Sequence, residues 1–260
     1  MSWETLDVTR DGRGVVTVRL AREEVHNAMN AAMMDELTAL ARELGAGDAR
    51  VVVLTGAGRS FCAGGDLNWM RAQFDADAAT RAAEGRRLAQ MLRAWNELPL
   101  PVIGRVQGNA FGGGVGLACI CDVAIGAEGA LLGLTETRLG LIPATIGPYV
   151  IARMGDGRAR RVFMSSRRFD AAEAVDLGIL ARSVPADELD AAVEAEVAPY
   201  LACAPGAVAE AKRLARRLGP AIDEAAIEAS IAALVARWEG DEAAEGVGAF
   251  FEKRKPRWAE

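Results

Sequence analysis

The amino-acid sequence predicts an α/β protein in which a mostly parallel sheet is followed by a helical C-terminal region. In the first half of the chain, short apolar segments alternate with glycine-rich turns and with longer segments of helical periodicity. Strand, turn and helix in succession require crossover connections, which join parallel strands. Beyond about residue 145, the strand patterns fade and amphipathic helical patterns take over.

Four segments of the first half have the length and pattern of strands. The first alternates apolar and polar residues, as a half-covered strand does. The second is wholly apolar, which is typical of a central strand in a parallel sheet. The predicted strands are residues 14–20, 51–54, 101–106 and 121–126.

Two helices are predicted among these strands. The first begins at Asn30, which can cap it, and ends at Gly45. The second is stopped by the prolines at positions 99 and 101. The apolar stripes of the two helices comprise Leu37, Leu40 and Leu44 in the first and Leu88, Met91, Leu92 and Trp95 in the second.

The second half of the chain is predicted to be helical. The candidate helices are residues 147–155, 157–166, 171–178, 187–203, 206–219 and 221–240. Neither a low-complexity linker nor an internal repeat separates the two halves. We therefore expect one folded unit, with a core of residues 1–195 and a C-terminal helical region of residues 196–260.

Composition excludes several classes of function. The 260 residues carry a formal charge of −6, have no apolar run long enough for a bilayer and begin with a segment too polar for a signal peptide. We expect a cytoplasmic protein with neither a nucleic acid nor a membrane as partner. The single histidine, His26, excludes zinc sites that need two or three histidines, and the cysteine spacing matches no zinc pattern. No metal site is predicted.

Two glycine-dense loops each follow a predicted strand. Their sequences are FCAGGDLNWM at residues 61–70 and FGGGVGL at residues 111–117, and neither matches a phosphate-binding pattern. Unshielded backbone N–H groups at a helix start stabilise negative charge on a carbonyl oxygen, so the two loops predict an oxyanion hole. The alternative is that these glycines only form tight turns and allow close helix packing.

Four blocks of the sequence resemble, in order and spacing, those of the enoyl-CoA hydratase/isomerase (crotonase) family. They are SFCAGGDL, GNAFGGGVGLACICD, LTETRLGLIPATIGPYV and EGVGAFFEKRKP, and the resemblance covers essentially the whole chain. It implies the crotonase fold, a spiral of ββα units with a C-terminal helical trimerisation region, in a homotrimer or a dimer of trimers. It also implies an acyl-CoA thioester substrate, with no cofactor besides the coenzyme A that the substrate carries.

The same resemblance assigns residues to the site. The thioester oxygen would accept hydrogen bonds from the backbone N–H groups of Gly65 and Gly113. Gly112 is also expected to bind the substrate. The residues expected along the rest of the substrate are Ala63, Asp66 and Leu67 on the adenine and pantetheine path, Trp69 and Met70 at the acyl pocket, and Lys255 at a CoA phosphate. Plain core packing is the alternative for Trp69, and a solvated helix end is the alternative for Lys255.

Hydratases of this family commonly use two glutamates, and this chain keeps one of them. Glu136 occupies the position of the second, and its apolar neighbours in the sequence favour a raised pKa that suits an acid/base. The position of the first glutamate is held by Gly116. Carboxylates from another loop that could substitute are Asp75, Asp77 and Glu84.

Three functions remain open at this point. The first is hydration of a short-chain 2-enoyl-CoA, linear or branched, to the 3-hydroxyacyl-CoA. Two blocks most resemble methylglutaconyl-CoA hydratases of leucine breakdown, whose dicarboxylic substrate would need a cation such as Arg71 or Arg138. The second is Δ3,Δ2-enoyl-CoA isomerisation with Glu136 as the single base, which Gly116 favours. The third is a catalytically idle protein that binds CoA thioesters.

Overall fold

A computed structural model describes residues 3–259 of the chain and contains two sheets surrounded by helices. The larger sheet has six strands, which lie side by side in the order β1 (Leu6–Arg10), β2 (Val15–Leu20), β3 (Val51–Gly56), β5 (Val102–Val106), β7 (Val123–Ala127) and β10 (Arg182–Val184). The first pair is antiparallel and every other pair is parallel.

The smaller sheet has four strands of three residues each. They lie in the order β4 (Ser60–Cys62), β6 (Asn109–Phe111), β8 (Leu131–Gly133) and β9 (Arg168–Asp170). The first three are parallel, and β9 is antiparallel to β8. Because parallel neighbours end at the same edge of a sheet, the segments that follow β4, β6 and β8 come together in space.

Eleven helices complete the described part of the chain. They are α1 (Ala31–Ala46), α2 (Leu67–Asp75), α3 (Ala78–Asn96), α4 (Gly113–Ile120), α5 (Gly147–Met154), α6 (Asp156–Phe163), α7 (Ala171–Asp176), α8 (Leu189–Leu201), α9 (Pro205–Leu218), α10 (Glu224–Trp238) and α11 (Asp241–Phe251). None of the helices within residues 3–259 is both long enough and apolar enough to cross a membrane.

The chain repeats one pattern three times: a strand in the larger sheet, a strand in the smaller sheet, then a helix. The three units are β3–β4–α2, β5–β6–α4 and β7–β8–α5. This repetition is the spiral of ββα units, so the predicted fold class is confirmed. Each unit delivers the end of a short strand, and the loop after it, to the shared edge of the smaller sheet.

The predicted helices and strands are of the predicted type, but their first and last residues differ from the prediction. The side chain of Asn30 accepts a hydrogen bond from the Met33 N–H at 2.9 Å, and the predicted leucine stripe of α1 is buried. The helix continues past Gly45 because packing outweighs the weak helix propensity of one glycine. The expectation that strands end near residue 145 is wrong, since β9 and β10 lie in the second half. Strand β1 and helix α11 were not predicted.

The C-terminal helices pack on the first half of the chain. Helix α10 lies against α3, and α11 lies against the 3-10 turn Glu136–Leu139. The predicted boundary at residue 195 falls inside α8, so the two-domain division stays a prediction. The consequence for the site is that residues from the end of the chain reach the segment that carries Glu136.

Candidate active site

Three residues singled out in the sequence meet at the shared edge of the smaller sheet. Gly65 follows β4, Gly113 follows β6, and Glu136 follows β8. All three line one cavity, whose empty volume is about 680 Å³ including its open mouth. The order of the strands thus brings together residues that lie up to 71 positions apart in the chain.

The two backbone amides predicted for the oxyanion hole are free. Within residues 3–259, neither the Gly65 N–H nor the Gly113 N–H donates a hydrogen bond to a protein acceptor. Gly65 forms a parallel bridge with Met29, but the bridge uses the Gly64 carbonyl and the Asp66 amide and leaves the Gly65 amide out. Gly113 is the first residue of α4, where an N–H has no partner within the helix.

These two loops lie against each other. A Cβ atom built on Gly113 would be 3.8 Å from the Gly64 Cα, and a Cβ built on Gly64 would be 3.6 Å from the Gly113 nitrogen. The positive end of the α4 dipole lies at the same place, because α4 starts at Gly113. The arrangement suits a ligand atom that gains negative charge.

Gly112 must be a glycine for two reasons. Its φ is +49° and its ψ is −114°, a conformation that side chains disfavour. A Cβ atom at this position would also lie 2.9 Å from Oε1 of Glu136. The Gly112 N–H donates to the Gly133 carbonyl at 2.9 Å, which ties the second loop to the strand before Glu136.

The Glu136 carboxyl is largely buried. Part of the residue is accessible, but Oε2 is shielded from solvent and has no hydrogen-bond partner among the described residues. Burial raises the pKa of this carboxyl to about 7, although the nearby N–H groups of Glu136 and Thr135 lower it. A carboxyl with this pKa can both release and accept a proton near neutral pH.

The turn that carries Glu136 is held from two sides. On one side, the Ser166 hydroxyl accepts from the Arg138 N–H at 2.9 Å and lies 2.6 Å from the Thr137 hydroxyl. On the other side, Arg237 of α10 donates twice to the Gly140 carbonyl, at 3.0 and 3.2 Å. Helix α11 approaches so closely that a Cβ on Gly246 would lie 2.5 Å from the Leu139 carbonyl carbon.

The cavity wall is apolar apart from a few atoms. Besides Gly65, Gly113 and Glu136, the lining residues are Met29, Met34, Trp69, Met70, Leu88, Leu141, Ile142, Pro143, Ala144, Thr145, Ile146, Leu234 and Trp238. Glu136 is the only ionisable side chain in this lining. Residues 3–259 contain no group of three or more histidine, cysteine or acidic side chains placed to hold a metal ion.

The space beside Gly116 holds no second carboxylate. A Cβ atom at this position would lie 2.5 Å from Cγ2 of Ile146, so the Ile146 side chain fills the place that a glutamate would need. The three candidate substitutes lie outside the cavity. Asp77 caps α3, Glu84 accepts from Trp69 Nε1 at 2.7 Å, and Asp75 is exposed at the end of α2.

Other predicted substrate contacts lie outside the cavity lining. Both oxygens of the Asp66 carboxylate are engaged, Oδ1 with the Asn68 and Trp69 amides and Oδ2 with Arg22 Nη2 at 3.0 Å. Its backbone is engaged as well, because its N–H donates to the Met29 carbonyl and its carbonyl accepts from the Met70 N–H. Ala63 is half-buried, whereas Leu67 and Lys255 are exposed. Their roles in binding stay predictions.

Trp69 and Met70 line the cavity, as the acyl-pocket prediction requires. The two arginines predicted to pair with a dicarboxylic acyl chain, Arg71 and Arg138, do not line the cavity. The Arg71 guanidinium stacks on the Phe251 ring at 4.5 Å, and Arg138 is exposed. No basic side chain therefore lies in the lining to pair with a carboxylate at the end of an acyl chain.

Sequence reasoning missed eleven of the sixteen residues that line the cavity, including two from α10 and two that precede α5. Leu234 and Trp238 come from α10, and Thr145 and Ile146 precede α5. The two α10 residues are four positions apart and therefore share a helix face, which is a signal of packing but not of what they pack against. Nothing in the sequence places Ile146 beside Gly116, because that contact depends on the tertiary structure.

A spiral of ββα units that carries two free amides on a common cavity is the architecture of the crotonase class. Comparisons with known proteins agree. A profile described as Enoyl-CoA hydratase/isomerase matches residues 10–260. The chain is 36% identical over 257 residues to a Rhodobacter capsulatus protein named "Probable enoyl-CoA hydratase", with 94% of each covered.

Two further relatives extend the comparison. One is the Mycobacterium tuberculosis protein named "Probable enoyl-CoA hydratase echA8", which is 33% identical over 264 residues, with 99% of each chain covered. The other is the crystal structure of an enoyl-CoA hydratase from Shewanella pealeana, with a TM-score of 0.81, 36% identity and coverage of 99% of this chain and 97% of that one. This chain belongs to the enoyl-CoA hydratase/isomerase family and is an enzyme of that family.

Proposed function

We propose that this enzyme hydrates a short-chain 2-enoyl-CoA to the 3-hydroxyacyl-CoA. The observation that carries the proposal is the largely buried Glu136 carboxyl on the same cavity as two free amides. In this proposal the Gly65 and Gly113 N–H groups bind the thioester oxygen, and Glu136 transfers the proton. The names of the relatives support a CoA thioester as the substrate.

The proposed reaction adds the elements of water across the C2–C3 double bond. Glu136 takes a proton from water while the water oxygen bonds to C3, and the electron pair of the double bond moves toward the thioester carbonyl. The two amides stabilise the charge that develops on that oxygen. Glu136 then returns the proton to C2, which regenerates its carboxylate form. No metal or redox step is needed, and we propose no cofactor beyond the substrate's coenzyme A.

The acyl group is proposed to be short, apolar and without a terminal charge. Leu234 and Trp238 of α10 add large apolar side chains to the cavity wall, and the lining has no basic side chain to pair with a second carboxylate. A buried unpaired charge is costly, so a dicarboxylic acyl chain fits this wall poorly. Assembly as a homotrimer or a dimer of trimers and a cytoplasmic location are carried as parts of the same proposal.

Isomerisation of a 3-enoyl-CoA is the second candidate, and one observation favours it. Ile146 occupies the space beside Gly116, so the wall offers only one carboxyl. Shifting a double bond from C3 to C2 requires one base, which removes a proton from C2 and returns it to C4. Glu136 alone suffices for this reaction.

A pair of assays decides between the two candidates. With crotonyl-CoA, hydration removes the absorbance of the conjugated thioester, whereas isomerisation of a 3-enoyl-CoA creates it. We expect turnover of crotonyl-CoA to exceed turnover of the 3-enoyl-CoA. The opposite order supports the isomerase, and no turnover of either substrate, with CoA thioesters still bound, supports the idle alternative.

The pH dependence of hydration is expected to follow the Glu136 carboxyl. Burial raises the pKa of this group to about 7, so the proton-accepting form is scarce below that pH. The measurement is kcat/KM for crotonyl-CoA against pH, which reports the pKa of the free enzyme's essential base. We expect the value to rise with pH and to level off above about pH 7. A profile that is flat across neutral pH contradicts the role of Glu136 as the base.

A further inference from the structure

We infer that the Thr145 hydroxyl binds the water that Glu136 activates. This inference rests on the proposed hydration. One carboxyl can take the proton from water, but a single hydrogen bond does not orient the water oxygen toward C3. A second polar group on the same wall supplies the missing contact.

The cavity offers few such groups. Its lining has two side chains that carry oxygen, Glu136 and Thr145. The indole N–H of Trp69 is already engaged by Glu84 at 2.7 Å. The amides of Gly65 and Gly113 are assigned to the thioester oxygen. Thr145 is therefore the remaining side-chain group that can hold a water molecule.

The Thr145 hydroxyl also lacks any other role in the described structure. The residue is 4% exposed, and its Oγ1 is shielded from solvent without a hydrogen-bond partner within residues 3–259. A buried hydroxyl without a partner destabilises the protein, and a valine would give the wall nearly the same shape without that cost. Its neighbours in the wall, Ala144 and Ile146, are apolar. A bound water molecule would satisfy both the hydroxyl and Oε2 of Glu136.

Thr145 and Ile146 together replace the usual arrangement. Ile146 fills the space beside Gly116 and so excludes a glutamate from α4. The residue immediately before it, Thr145, lines the same cavity and carries a buried hydroxyl without a partner among the described residues. The result is a site with one carboxyl and one neutral hydroxyl where the family commonly has two carboxyls.

The test compares Thr145→Val with Thr145→Ser, using crotonyl-CoA hydration and butyryl-CoA binding. We expect Thr145→Val to lower kcat about tenfold, which is the effect of losing one hydrogen bond in the reacting complex. The Kd for butyryl-CoA should stay unchanged, because this saturated thioester needs no nucleophilic water. Thr145→Ser keeps the hydroxyl and should retain most of the activity.

Three other outcomes would contradict either the role of Thr145 or the proposed hydration. If Thr145→Val hydrates as fast as the wild type, or if the serine variant is as slow as the valine variant, Thr145 does not bind the water. If both variants lose butyryl-CoA binding, its role is structural and the inference fails. If the wild type does not hydrate crotonyl-CoA, the proposed function fails first, and it fails independently of either variant.

Discussion

Replacement of Glu136 by glutamine is expected to lower kcat for crotonyl-CoA hydration by a factor of about 10²–10⁴, the usual contribution of a positioned acid/base. Glutamine keeps the shape of the side chain but cannot carry the proton. The cavity has no other ionisable side chain to take over. Because the oxyanion hole is untouched, butyryl-CoA should bind to the variant as it does to the wild type.

Asp75→Asn is the matched control for this substitution. It makes the same chemical change at an exposed carboxylate at the end of α2, outside the cavity. We expect it to hydrate crotonyl-CoA at the wild-type rate. Undiminished turnover by Glu136→Gln, measured beside this control, would show that the Glu136 carboxyl does no chemistry.

Replacement of Gly113 by proline is expected to lower kcat by a factor of about 10²–10³, as the loss of one oxyanion-hole donor does. Proline removes the N–H, and the first position of a helix tolerates it. Gly113 is the first residue of α4. The measurement is again the loss of the conjugated thioester absorbance, at saturating crotonyl-CoA.

Gly113→Ala provides the control, because it adds a Cβ atom but keeps the N–H. In both variants this Cβ would lie 2.2 Å from the Met29 Cε, at the flexible end of that side chain. The difference between the two variants, with unfolding midpoints measured for each, therefore reports the amide. Equal activity in the proline and alanine variants would mean that the Gly113 N–H does not bind the thioester oxygen.

The sequence was sufficient to predict the fold class and the main elements of this protein. Strands β3 and β5 are apolar runs between clear turn signals, and α1 has both a cap and a stripe. The strands of the smaller sheet are three residues long, too short to show a period. Those short strands determine which loops meet, and the sequence does not reveal them. The site was therefore predicted from the spacing of glycines and from the family resemblance.

The chemistry of the wall was less predictable than its position. Gly116 showed from the sequence that a carboxylate is missing. It did not show that Ile146 fills the space of that carboxylate, because Ile146 lies thirty positions away in the chain. The burial of the Glu136 carboxyl depends on many contacts at once. The leucines near Glu136 in the sequence predicted that its pKa would be raised. The burial that raises the pKa is produced only by the folded chain. The role of Lys255 stays a prediction, since the tail residue is exposed.

The packing of α10 and α11 on the Glu136 turn has a consequence for biosynthesis. The two glycine loops and Glu136 leave the ribosome well before Leu234, Arg237 and Trp238. Chains fold progressively as they are made. A nascent chain can therefore assemble its sheets before these helices contact the Glu136 turn. The wall of the cavity is then completed last, when the final helices dock.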